Sequence, residues 1–159
     1  MYLDPINMME MNEEPMPMRD DYMEEFNEVL GMIRDSIESE KEDEMFYDYL
    51  ISIAPTEDEK QIIGSIRNDE KKHNMYFRQI YEDLTGETIE PIDNITFEEP
   101  ASYVDGIKTA LFDELRAVEK YRPIRELMPN RYYRDVLFEI ITDELKHAAK
   151  YNYLFALNQ

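Results

Sequence analysis

Residues 69–73 read Asp69-Glu70-Lys71-Lys72-His73, and residues 143–147 read Asp143-Glu144-Leu145-Lys146-His147. These two stretches decide the fold. The chain has only two histidines, and each stands three residues after a glutamate and follows an Asp-Glu pair. Residues three apart on a helix point the same way, so each stretch sets a carboxylate beside an imidazole. Glutamate makes up 23 of the 159 residues. Two randomly placed histidines would both follow a glutamate at this spacing in roughly one case in fifty.

The two stretches lie 74 residues apart, and that offset aligns the halves of the chain without a gap. Glu40 falls on Glu114, Tyr47 on Tyr121, Pro55 on Pro129 and Ile66 on Ile140. An internal repeat of this kind indicates two copies of one structural unit.

Outward from the repeat, apolar residues recur by alternating threes and fours, as in the seam of a helical bundle. The first helix is expected from about Asp21 to Ala54, ended by Pro55. Thr56 with Glu59 reads as a capping box for the second, about Glu57 to Leu84, which Thr85-Gly86 stops. Ser102 and Asp105 open the third, which runs to about Met128 and should kink at Pro123. The fourth follows Pro129-Asn130 and runs to about Leu157. Nothing favours β-structure, since the chain has no long Val/Ile/Thr alternation and no Asn-Gly hairpin. The expectation is an all-α four-helix bundle over residues 21–159. Residues 1–20, with Pro5, Pro15, Pro17 and many methionines, read as a flexible Met-rich tail. The pairs Met9/Met11 and Met16/Met18 suit soft Cu(I), but a plain Met-rich tail is the simpler reading.

Each seam carries charge at its middle: Glu40 and Glu44, Glu70 and His73, Glu114, and Glu144 and His147. A buried carboxylate is costly unless paired or bound to metal. In an antiparallel hairpin turning near Pro55-Thr56, Glu40 lies level with about residue 71, beside Glu70 and His73. A second turn near Pro129-Asn130 puts Glu114 beside Glu144 and His147. Each set lies about 22 Å from its turn, in mid-bundle. The connection of about 17 residues from Thr85 to Ala101 suits a crossover between parallel second and third helices. Four carboxylates and two imidazoles form a shell for two divalent ions, and the imidazoles favour iron or manganese over calcium or magnesium.

The net charge of −20 and pI near 4.3 disfavour nucleic acid and anionic membranes as partners. The absence of cysteine excludes disulfides, thiolate sites and iron–sulfur clusters. Met1 to Asp21 shows no basic region followed by an apolar run, and no stretch approaches the ~20 apolar residues of a membrane span. A cytoplasmic protein is expected.

The pattern resembles the ferritin-like superfamily, and within it the rubrerythrin type: one Glu from each of two helices plus Glu-x-x-His from each of the other two. The resemblance covers residues ~25 to 157. It implies a ferritin-like bundle of two repeated helical hairpins joined by a long crossover connection. It implies Glu40, Glu70, His73, Glu114, Glu144 and His147 as ligands of two iron ions, with Glu70 and Glu144 bridging. Asp69 and Asp143 match the family's aspartate that orients a ligand imidazole. A homodimer is implied as well. Rubrerythrins often carry a cysteine-bound rubredoxin-like segment, which a chain without cysteine cannot have, so electrons must come from a separate electron donor protein. Rubrerythrins also place a glutamate one turn after the third-helix ligand; here that position is Ala117. Glu44 lies inward on the first helix instead, as an extra ligand, an ion-admitting residue or a partly solvated seam residue. The spacing from Glu to Glu-x-x-His is 30 in both halves, a few residues short of the family habit. Tyr47 and Tyr121, two turns from Glu40 and Glu114, read as core residues with bonded hydroxyls.

The leading functional expectation is a di-iron oxidoreductase reducing hydrogen peroxide or dioxygen, with ferroxidase activity as a variant. A di-manganese centre of catalase type fits the same ligands. Iron storage or delivery, and a non-catalytic bundle whose buried Glu and His pair with one another, are the alternatives from other classes.

Overall fold

The computed structural model describes residues 20–159. The Met-rich segment, residues 1–19, lies outside them, and Asp20 already belongs to the first helix. Four helices follow: α1 (Asp20–Ile53), α2 (Glu57–Thr85), α3 (Tyr103–Glu126) and α4 (Arg131–Leu157). The expected boundaries hold to within a residue or two. α3 continues through Pro123, which lies less than a turn from the helix end.

The punctuation is local chemistry. Thr56, Ser102 and Asn130 are extended N-caps whose side chains accept from the N–H of Glu59, Asp105 and Tyr133. Gly86 ends α2 in the left-handed region at φ 73°, where its N–H donates to the Glu82 carbonyl.

α1 packs on α2 and α3, and α4 packs on the same two helices, so α1 lies diagonal to α4 and α2 to α3. Short turns make α1–α2 and α3–α4 antiparallel, and side-chain bonds set the direction of the other two adjacent pairs. Tyr47 reaches Glu114 while Tyr121 reaches Glu40, which makes α1 and α3 antiparallel. His73 meets Asp143 while His147 meets Asp69, which does the same for α2 and α4. The diagonal pairs are therefore parallel, and the α2–α3 connection must travel the length of the bundle. Its Ile89 and Ile92 pack at one end, and Phe97 packs on Phe46 and Tyr49 towards the other.

The core has two apolar halves. One contains Ile33, Ile37, Phe77, Tyr121, Ile124 and Leu137. The other contains Tyr47, Leu50, Ile63, Ile66, Ile107 and Tyr151. Between them lie the buried Glu40, Glu70, His73, Glu114, Glu144 and His147.

One further glutamate is buried away from that cluster. Glu59 at the start of α2 accepts from Thr56 Oγ1 (3.0 Å), Tyr103 Oη (2.8 Å) and Asn158 Nδ2 (2.9 Å). It ties α2, α3 and the end of α4 together at one pole of the bundle. Removing it leaves three donors without their acceptor. Glu59→Ala should cost about 1–3 kcal/mol in urea unfolding, with the metal content of the protein unchanged.

Candidate metal centre

Each helix contributes its seam charges at the same height, and the tertiary fold turns them inward. Glu40, Glu70, His73 and Glu144 each offer one ligand atom within 4.8 Å of the others'. Glu70, Glu114, Glu144 and His147 form a second such group. Glu70 and Glu144 belong to both, so the six residues form two adjoining sets that share two carboxylates.

The Nδ1 atom of each imidazole faces the cluster. His73 Nδ1 lies 2.9 Å from Glu144 Oε1, 3.1 Å from Glu70 Oε2 and 3.7 Å from Glu40 Oε2. His147 Nδ1 lies 2.9 Å from Glu70 Oε1 and 3.3 Å from Glu114 Oε2. Each Nε2 points away, to an aspartate on the facing helix: Asp143 Oδ2 at 3.2 Å from His73, and Asp69 Oδ2 at 3.0 Å from His147. The orienting aspartate of each histidine thus comes from the other Asp-Glu-x-x-His stretch. Lys146 bridges the two aspartates, at 3.1 Å from Asp69 and 2.6 Å from Asp143.

Burial works against charging the imidazoles, but bonds to surrounding carboxylates outweigh it. His147 is pushed up to about 12 by Glu114, Glu144 and Glu70. His73 is held well above the ordinary histidine value by Asp143, Glu144 and Glu70. Burial, followed by the charge of Glu70, raises Glu40 and Glu114 well above the usual carboxylate range. Burial would raise Glu70 also, but bonds from His147 and His73 overcome it and hold that carboxylate low. The His73 bond holds Asp143 far down. In Asp69 burial opposes the fall, and His147 and Lys146 prevail.

The donor set fits two metal ions. Glu40 Oε2 is buried without a hydrogen bond, and Glu70 Oε1 and Glu144 Oε1 meet only an imidazole Nδ1 that a metal would take over; buried acceptors of this kind ask for a cation. They lie in the two groups of four, and metal binding would satisfy them together.

The structure narrows two readings made from sequence. Glu44 stays out of the cluster: its carboxylate is paired with Lys41 (3.0 Å) and Lys71 (3.5 Å). Helical periodicity turned it inward but could not show the α2 lysine waiting for it. Tyr47 and Tyr121 are core residues with bonded hydroxyls, as their spacing suggested, and the structure supplies the partners. Tyr47 Oη donates to Glu114 Oε1 (2.7 Å) and Tyr121 Oη to Glu40 Oε1. Each is two turns from the Glu on its own helix yet touches the Glu of the antiparallel one. Their matched positions in the 74-residue repeat were the available signal.

The rubrerythrin family model matches residues 31–155, spanning all six residues of the cluster. The chain belongs to the rubrerythrin family. It is 27% identical over 139 residues to the uncharacterized protein YhjR of Bacillus subtilis (strain 168), covering 87% of this chain and 91% of that one. No solved structure matches. Rubrerythrin membership and the buried cluster together fit a two-metal site. Among the described residues no helix is long and apolar enough to cross a membrane.

The proton load of this rubrerythrin-family cluster gives a pH dependence whose sign can be worked out. The raised imidazoles contribute stability fully below their unfolded pKa of about 6.5, and it is lost as pH rises towards the folded value near 12. Glu40 and Glu114, also raised, lose their contribution in the same direction. The lowered Asp69 and Asp143 keep theirs until well below about 3.9. The metal-free protein should therefore lose thermal stability progressively as pH rises from about 6.5 towards 12 in calorimetry. Metal loading should abolish that trend and release the protons held by His73, His147, Glu40 and Glu114, read by an indicator dye in weak buffer. Asp143→Ala should weaken metal binding about 10–100-fold, measured by competition with a chelator.

Proposed function

We propose that the chain is a di-iron carboxylate oxidoreductase that reduces hydrogen peroxide or dioxygen and can act as a ferroxidase. The observation that carries this reading is the pair of adjoining donor sets sharing Glu70 and Glu144. Two ions held so close can deliver two electrons to one small oxidant, which is the chemistry a pair of ferrous ions supplies when bound.

The chain's own residues do the rest. Glu70 and Glu144 would serve both donor sets, and Glu40 and Glu114 one each. Asp143 and Asp69 fix the imidazole orientation through Nε2, leaving Nδ1 free to bind. Tyr121 and Tyr47 hold Glu40 and Glu114 by one oxygen and leave the other available. The two apolar halves of the core exclude bulk water above and below the cluster. With no cysteine in the chain, the reducing electrons are assigned to a separate electron donor protein. Manganese is the second reading, favoured by the same mixed O and N donor set.

The expected homodimer also has a suitable face. α1 and α2 carry 19 acidic and 7 basic residues, whereas α3 and α4 carry 9 of each. Copies of so acidic a chain repel least through the neutral hairpin, where Phe138 and Leu145 are exposed seven residues apart on α4. We assign pairing to that face.

Anaerobic loading with Fe(II) should give two irons per chain in the wild type, and Glu70→Ala with His147→Ala should abolish stoichiometric binding. Mixing the loaded protein with peroxide or dioxygen should then oxidise both irons in a stopped-flow trace. Absence of stoichiometric iron or manganese would leave a buried polar network as the explanation of the cluster.

A further inference from the structure

A cavity of about 340 Å³ lies in the groove between α1 and α3, lined by Ser39, Glu42, Asp43, Ala117, Lys120 and Tyr121 among others. Its Tyr121 wall is one hydrogen bond from Glu40. Its register follows from bonds already described. Tyr47 pairs with Glu114 and Tyr121 with Glu40, so residue 43 on α1 lies level with Val118 on α3. That height is midway between Glu40 and Glu114. Asp43 therefore stands on the α1–α3 side of the centre, opposite the space that the two donor sets share.

The internal repeat explains why the groove is open. The offset of 74 places Asp43 on Ala117, so one half of the repeat has a carboxylate where the other has a methyl group. Both line the cavity, and the small Ala117 leaves the room that a second acidic side chain would fill. Burial, then the charges of Glu70 and Glu144, pushes Asp43 well above its ordinary value, which agrees with a carboxyl facing the shared pair.

The charges of the lining favour a cation. Arg116 is committed to Asp113; Lys120 donates to the neutral Ser39 Oγ at 3.2 Å and keeps its charge, and Glu42, Asp43 and Asp113 still outnumber the two basic residues. Asp43 and Glu42 have no hydrogen-bond or ion-pair partner among the described residues. An adjoining cavity of about 130 Å³ shares Glu42, Asp43 and Asp113 and adds Glu98 from the connection. Beyond Asp43 lies Glu40, whose Oε2 is buried and without a partner.

We propose that this α1–α3 groove is the route by which divalent cations reach the centre, with Asp43 as the carboxylate that hands them inward. The proposal rests on the two-metal reading of the cluster. Glu44, the sequence candidate for this task, is occupied by lysines; Asp43, one residue earlier, faces the groove. On the opposite α2–α4 side both aspartates are already occupied by Lys146.

The test is the rate of Co(II) uptake by metal-free protein under stopped flow, Co(II) being inert to the centre's redox chemistry. Ala117→Leu plugs the groove, and Asp43→Asn keeps its shape but removes its charge. Each should slow uptake about tenfold while the final stoichiometry stays at the wild-type level. Ala149→Leu, on the exposed surface of α4, should leave the rate unchanged. Wild-type rates in folded Asp43→Asn and Ala117→Leu proteins would overturn the route while leaving the centre intact. Failure of the wild type to bind Co(II) would overturn the centre and the route together. Should Ala117→Leu fail to fold, the near-isosteric Asp43→Asn decides alone.

Discussion

Four glutamates and two histidines share the middle of an apolar bundle, and their mutual repulsion is the constraint to which the rest of the structure answers. Ionised carboxylates in a medium of low polarity repel far more strongly than in water. In the metal-free protein that strain is relieved by protons: Glu40 and Glu114 are raised and the imidazoles hold theirs tightly. Positive ions would relieve it more completely, because they also satisfy Glu40 Oε2, which the imidazole protons leave without a partner. The apolar halves on either side are what make the problem severe.

The pseudo-twofold symmetry of the repeat is built into the bonds around the cluster. Tyr47–Glu114 mirrors Tyr121–Glu40, and His73–Asp143 mirrors His147–Asp69. Every one of these bonds crosses between the two hairpins. Neither hairpin could satisfy its own charges alone, so the centre and the docking of the hairpins are one event. Fold stability and metal affinity should accordingly be coupled, as in other sites whose ligands are gathered only by folding.

The symmetry is broken where function calls for it. Asp43 and Ala117 differ, which opens one groove. Lys146 clamps two aspartates, whereas Lys72, its counterpart in the repeat, is paired with Glu139 at the surface. The α1–α3 and α2–α4 sides of the cluster thereby differ: Asp43 and Ala117 line a groove on the first, and Lys146 spans the two aspartates on the second.

How much of this could be read from sequence follows from the range of each interaction. Helices, caps and the six inward residues depend on spacing within one chain segment. Periodicity, Thr56, Ser102 and the twin Asp-Glu-x-x-His stretches therefore displayed them, and the repeat supplied the hairpin pairing. The four-helix bundle of rubrerythrin type was legible for that reason. What the sequence could not show was which side chain meets which across the bundle. Tyr47 and Tyr121 were placed by distance along their own helices, though their partners lie on the antiparallel neighbour. Glu44 faced inward by period but met Lys71 across the α1–α2 interface, while Asp43 passed unnoticed because one residue of rotation separates the two on the helical wheel. The sequence by itself determined the elements, the hairpins and the donor set, all of which are local or repeated. The tertiary structure alone decided the crossed Asp–His and Tyr–Glu pairs, the two carboxylates shared between donor sets and the open groove. Those depend on the relative height and rotation of packed helices, which no single segment encodes.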